Sequence, residues 1–226
     1  EAWLYLLEVS PRSVRVLGEP FLLASCMQSI DPDETTPAQR GGIAVDYTVA
    51  RVFDGRTAAS RRVDAVQDGR LLTTATISFA APLPGPEHGH REPMPDDPDT
   101  LARTGPAGPA PSMPLDELDI RVADEGAGDQ FIRRMWWRAT VALPDDPLLH
   151  TLIAAYVTDV YLIDPALQVH GHSMRSRSHR SGTTDSSVWF HRAVRADRWI
   201  LLECRSPAAA RGRGVVTASL IGQDGL

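Results

Sequence analysis

The sequence predicts an α+β fold made of two related halves, each an antiparallel sheet with one helix. Three observations carry that expectation. Two Asp-Gly pairs, Asp54-Gly55 and Asp68-Gly69, separate β-rich runs in the first half. In the second half, Pro144-Asp145-Asp146-Pro147 opens a long apolar segment that reads as a helix, with strand candidates on both sides. Between the halves, residues 82–114 read PLPGPEHGHREPMPDDPDTLARTGPAGPAPSMP, which holds too few large apolar residues to offset the entropy of ordering it.

In the first half, residues 1–81, the stretch Pro20–Ile30 has apolar residues at 22, 23, 26, 27 and 30, a helical period. Val45–Val52 alternates apolar and polar residues. With Ser60–Gln67 and Leu71–Phe79 it predicts a three-stranded antiparallel meander. Residues 82–114 are expected to form a linker that enters neither core. The second half, residues 115–226, starts with a strand candidate, Gln130–Leu143. Asp146 suits the N-cap of the helix and Pro147 its first turn. The helix is expected over Leu148–Ile163, with Leu149, Leu152, Ile153, Tyr156, Val160 and Ile163 on one wide face, and Asp164-Pro165 stops it. Strand candidates follow at Ser187–Val194, Trp199–Arg205 and Val215–Ile221, and Asp224-Gly225 reads as a hairpin turn.

Charge and cysteine usage narrow the function. The 226 residues carry 23 basic side chains, all Arg, against 29 acidic ones, for a net charge of -6. A nucleic-acid binder, whose affinity comes from neutralising phosphates, is not expected. The total absence of Lys reads as coding bias. Cys26 and Cys204 match no zinc or redox spacing and read as two separate thiols in a reducing compartment. No stretch approaches the roughly 20 apolar residues of a membrane span, and Glu1-Ala2-Trp3-Leu4 lacks the basic start of a secretory signal. The expectation is a soluble cytoplasmic protein without a metal or redox cofactor.

Several residues could carry chemistry. Asp159, in LIAAYVTDVYLID, falls on or beside the expected buried face of the helix. An ionised carboxylate there is costly unless it is paired or aimed into a site. It reads equally as a site carboxylate or as one at the margin of the apolar stripe reaching solvent. Thr183-Thr184-Asp185-Ser186-Ser187 leads into Val188-Trp189-Phe190-His191-Arg192, and its hydroxyls could orient a water; an ordinary polar loop gives the same pattern. Arg175, Arg177 and Arg180 could meet phosphates or form a solvated loop. His170, His172 and His179 lack a suitably spaced acidic or Cys partner, so a metal site is not expected. Trp136 and Trp137 are adjacent, so in a strand they point to opposite faces, one into a core and the other toward an interface.

Three segments together are specific. The run SSVWFHRAVRADRWILLECRSPAAARGRGVVTASLIGQDGL resembles the closing segment of the type II acyl-CoA thioesterases, around that family's WFHR strand. HTLIAAYVTDVYLIDPALQVHG is similar to the family's second central helix, which carries an Asp in an "AYxSD" motif, and RVFDGRTAASRRVDAVQDGRLLTTATISF resembles its first meander. The resemblance covers most of 43–80 and nearly all of 130–226. It implies a double hotdog fold, two antiparallel sheets each wrapping a central helix.

The resemblance also implies hydrolysis of acyl-CoA to a free acid and coenzyme A. In the family an Asp, a Thr or Ser and a Gln gather around the attacking water. The Asp carries over to Asp159 and the hydroxyl to Thr183, whose side chains are expected to share one cleft. Arg175, Arg177 and Arg180 become candidates for the coenzyme A phosphates. The Gln of the closing "QEG" strand has no counterpart before Leu226, and Gln223 lies in the turn. The His of the family's "HSMWFHR" is replaced, since Ser186-Ser187-Val188 precedes the Trp. In the first half, the "RVFGGQVxAQALxAA" and "HSxHxYFLRPG" elements are reduced or absent. A non-catalytic hotdog protein that binds acyl groups or assembles with others is the alternative. Because edge strands of small sheets seek partners, a homo-oligomer, dimer or tetramer, is expected.

Overall fold

A computed structural model of the chain describes residues 45–89, 93–104, 117–126, 128, 131–173 and 182–225, together with the backbone of 21–29. The chain divides into two compact units, Glu1–Pro86 with Gly182–Ala193 and Glu87–Ser181 with Val194–Leu226.

The first unit holds a five-stranded antiparallel sheet. Its strands are β1 (Phe21–Ser29), β2 (Asp46–Asp54), β3 (Ala58–Gln67), β4 (Arg70–Ala80) and β7 (Asp185–Trp189), in the order β2-β3-β4-β1-β7. The meander expected from the two Asp-Gly pairs is β2-β3-β4. Asp68 and Gly69 both take positive φ, 51° and 77°, the conformation of a type I′ hairpin turn. Paired residues of β3 and β4 share a face, and Ala59, Val63, Ile77 and Phe79 form its buried cluster. Arg61 is buried on the same strand and pairs with Asp54 at 2.6 Å.

Two expectations are corrected here. Pro20–Ile30, read as helical, contains a strand, β1, bonded to β4 on one side and β7 on the other. Short apolar runs fit either period, and flanking partners decide between them. No helix of the first unit occurs among the described residues. The strand carrying Trp189, expected with the second half, completes the first sheet beside β1.

The second unit holds a four-stranded antiparallel sheet, ordered β5-β6-β8-β9: β5 (Leu118–Glu125), β6 (Ile132–Ala139), β8 (Ile200–Ala210) and β9 (Arg213–Gly222). Helices α1 (Pro147–Tyr161) and α2 (Asp164–Gln168) complete it. The β8-β9 turn, Arg211-Gly212, has φ of 52° and 73° and lengthens both strands beyond the expected Trp199–Arg205 and Val215–Ile221. Gly214 on β9 is required by packing: a Cβ there would lie 2.9 Å from the Ala166 methyl of α2.

Trp136 and Trp137 are both buried, on opposite faces of β6. Trp136 packs with Trp199 and Leu201, and its indole N–H donates to the Asp96 carbonyl at 3.1 Å. The guanidiniums of Arg138 and Arg121 lie 4.1 and 4.9 Å from the centre of the Trp199 ring. Part of the expected linker therefore enters a core. Pro98, in a single 3₁₀ turn over Pro98–Thr100, is fully buried, and Leu101 packs on the Trp136 cluster. Arg121 anchors the turn by donating to the Pro98 and Leu101 carbonyls at 2.6 and 3.2 Å. Proline lowers the entropy lost on ordering, so a segment poor in apolar residues is held here by backbone hydrogen bonds and one buried ring.

Candidate active site

Helix α1 begins where its cap dictates. Asp146 is extended at the N-cap and its carboxylate accepts the Leu148 N–H at 2.9 Å, with Pro147 at the first helical position. The helix ends at Tyr161, and Asp164-Pro165, expected only to stop it, starts α2. The buried residues of α1 are His150, Leu152, Ile153, Ala154, Val157, Thr158 and Tyr161. This stripe is rotated from the expected one: Val157 and Tyr161 are buried, while Tyr156 and Val160 are only partly so. Small residues displaced the phase, because Ala154 and Thr158 lie inward and weigh little in an apolar count.

Asp159 is consequently exposed. It follows His150 by nine positions, about two and a half turns, and so projects from the side opposite the buried stripe. The expectation of a carboxylate on or beside the buried face is corrected by this rotation. Asp159 belongs to the second unit. Thr183, half-buried just before β7, belongs to the first. Arg175, Arg177, Arg180 and His179 lie outside the described residues.

At the start of α1 the structure brings together residues that the sequence did not single out. His150 is fully buried, and its Nδ1 accepts the Ala196 N–H at 3.1 Å. The Ala196 carbonyl in turn accepts the Ala139 N–H at 2.7 Å, so the turn after Ala193 is tied to both α1 and β6. Arg195 clamps this turn by pairing with Asp145 and with Asp197, the latter at 2.7 Å. Hydrogen bonding from Arg195 holds the Asp197 carboxyl below its usual range, against the opposing effect of burial.

A second cluster lies under α2. Arg133 pairs with Asp164 at 2.7 Å and with Glu125. Burial works against its charge, but hydrogen bonds to Asp164 and Glu125 outweigh it and raise its pKa. Cys204, paired with Arg133 across the sheet, is a buried free thiol that desolvation pushes up to about 12. It is therefore no nucleophile near neutral pH. Among the described residues no group of three or more His, Cys, Asp or Glu could hold a metal ion.

These elements match known proteins. Residues 116–225 match the family described as acyl-CoA thioesterase. The second half of this chain is similar to the acyl-CoA thioesterases. Human acyl-coenzyme A thioesterase 8 is 26% identical over 219 residues, which cover 81% of this chain and 65% of the human protein. The chain thus spans just under two thirds of that relative's length. Among solved structures, the tesB protein of Mycobacterium avium subsp. paratuberculosis aligns with a TM-score of 0.79 at 24% identity, covering 99% of this chain and 79% of its own. A hot dog fold protein from Alicyclobacillus acidocaldarius aligns with a TM-score of 0.69 at 20% identity, over 99% and 79%. The fold is the hotdog, with two antiparallel sheets and α1 as the central helix among the described residues. The residues matched by the acyl-CoA thioesterase family include α1 with Asp159, the Thr183 segment and Trp189-Phe190-His191-Arg192.

Proposed function

We propose that this chain hydrolyses acyl-CoA thioesters. The supporting observation is an exposed carboxylate, Asp159, the one acidic side chain of the central helix, within the residues that match the acyl-CoA thioesterase family. Asp159 acts as general base. It takes a proton from water as the water oxygen bonds to the thioester carbonyl carbon. The tetrahedral intermediate collapses with cleavage of the carbon–sulfur bond, and coenzyme A leaves with the proton, releasing a free acid. Donors aimed at the carbonyl oxygen are what such a step requires. The Thr183 hydroxyl assists in holding the water, a role the resemblance supplies. Arg175, Arg177 and Arg180 meet the coenzyme A phosphates, which a guanidinium fork suits. The reaction needs no metal or redox cofactor.

The same reading makes the protein a cytoplasmic homo-oligomer serving fatty acid metabolism. In support, no described helix is long and apolar enough to cross a membrane. Strand β2, at the end of the first sheet, is exposed along its whole length and presents Tyr47, Val49, Val52 and Phe53 to solvent. Light scattering at micromolar concentration tests the assembly, with a strict monomer counting against it. Release of coenzyme A thiol from acyl-CoAs of graded chain length tests the activity. Binding without release would transfer the reading to an acyl-binding protein.

A further inference from the structure

We infer that His150 is a positioning residue: by accepting the Ala196 amide it fixes the rotation of α1 and so the outward aim of Asp159. The inference rests on the proposed role of Asp159.

This histidine is held by one ring nitrogen alone among the described residues. Its side chain is fully buried, and Nδ1 is an acceptor, so the ring is the neutral tautomer with its proton on Nε2. That Nε2 is buried and has no hydrogen-bond partner among the described residues. A buried N–H without a partner is unfavourable, and an apolar side chain of similar size would avoid it. What an apolar side chain would not supply is the acceptor at Nδ1. Without it the N–H of Ala196, a fully buried residue, would itself lack a partner. Among the described residues one ring nitrogen has no partner, and the other satisfies a backbone amide.

The placement of that amide gives the bond its consequence. Ala196 is held from the other side by the Ala139 N–H at the end of β6. The bond therefore ties α1, one turn from its N-cap, to a turn already anchored on the sheet. A helix gripped only by apolar side chains can rotate by small amounts at little cost, since dispersion contacts are not directional. A hydrogen bond is directional and resists rotation. Asp159 lies on the far side of the same helix, so any rotation at His150 swings its carboxylate. A misplacement of about 1 Å is enough to cost about a hundredfold in rate.

Two substitutions separate the roles of the ring nitrogens. In His150→Asn the Oδ1 stands where Nδ1 was; in His150→Gln the polar group moves out to the place of Nε2. Both lose the ring. The expected result, per folded molecule by circular dichroism, is a kcat for thioester hydrolysis about tenfold or more lower in His150→Gln than in His150→Asn, with KM within about twofold. The Ala196 amide should exchange slowly in wild type and in His150→Asn and faster in His150→Gln. Equal kcat in the two variants would overturn the inference, as would a rapidly exchanging Ala196 amide in wild type. If His150→Gln does not fold, a tenfold loss in His150→Asn against wild type overturns it, and retention within about threefold supports it. A wild-type protein that hydrolyses no thioester overturns the functional reading, and the positioning role falls with it.

Discussion

Arg133 on β6 and Asp164 at the start of α2 form an ion pair of 2.7 Å between side chains only 4% and 8% exposed. Two charges withdrawn from water this far are stable only as a pair, and Gln168 and Glu125 supply further hydrogen bonds to them. The pair ties α2 to the sheet. Replacing one partner, Asp164→Asn, should destabilise the protein by up to about 3–5 kcal/mol, because it leaves the buried guanidinium with the partly exposed Glu125 as its only carboxylate. Replacing both with apolar residues of similar volume, Arg133→Met with Asp164→Leu, should cost much less. Urea unfolding of the three proteins distinguishes a paired from an additive effect.

Gly214 offers a steric test of the same packing. Its missing side chain makes room for Ala166, and no positive φ constrains it. Gly214→Val should cost about 1–3 kcal/mol by overpacking. Gly214→Ala with Ala166→Gly should recover at least half of the loss seen in Gly214→Ala alone, measured by thermal or denaturant unfolding.

Acid stability follows from Asp119. Burial raises its pKa, but the hydrogen bond from Arg121 and the charges of Arg121, Arg138 and Arg103 outweigh this and leave it below the ordinary value of 3.8. A carboxylate depressed in the folded state contributes stability that is present above its unfolded pKa and is lost as pH falls through its folded pKa. Asp119→Asn should therefore be less stable than wild type at pH 6. The difference should shrink below about pH 4 and vanish near pH 2, as read from denaturant midpoints across pH.

Much of this architecture was legible in the residues. Asp68-Gly69 announced its type I′ turn because few other pairs adopt two positive φ values cheaply. Asp146-Pro147 announced the helix start because capping is local chemistry. What local chemistry does not decide was read less well. Pro20–Ile30 is a strand because β4 and β7 flank it, a fact about partners distant in the chain. The burial of Pro98 depends on Arg121 and Trp136 from another strand. The rotation of α1 turned on Ala154 and Thr158, residues too small or too polar to mark a buried face. His150 escaped notice for the same reason: its role is visible only once the phase is corrected and Ala196 is opposite it. Asp159 was singled out by its place on the expected helix and Thr183 by its run of hydroxyls, while their catalytic roles came from resemblance alone.

Cys204 bears on how hydrolysis is measured. With its thiol pushed up to about 12 by burial, it should react with a disulfide reagent far more slowly than free coenzyme A, until the protein is unfolded. Thiol release in a Cys26→Ser background checks this, and a fast reaction in the folded protein would show that Cys204 is accessible.

If the Asp159 carboxylate activates the hydrolytic water, its removal must slow hydrolysis itself. The direct measurement is the rate of coenzyme A thiol release by wild type and by Asp159→Asn at saturating acyl-CoA, with folding of both followed by circular dichroism. Asparagine keeps the shape and removes the base, and since the side chain is exposed the fold should survive. The kcat should fall about a hundredfold or more while unfolding midpoints stay close. Equal rates in the two folded proteins would contradict that role of Asp159.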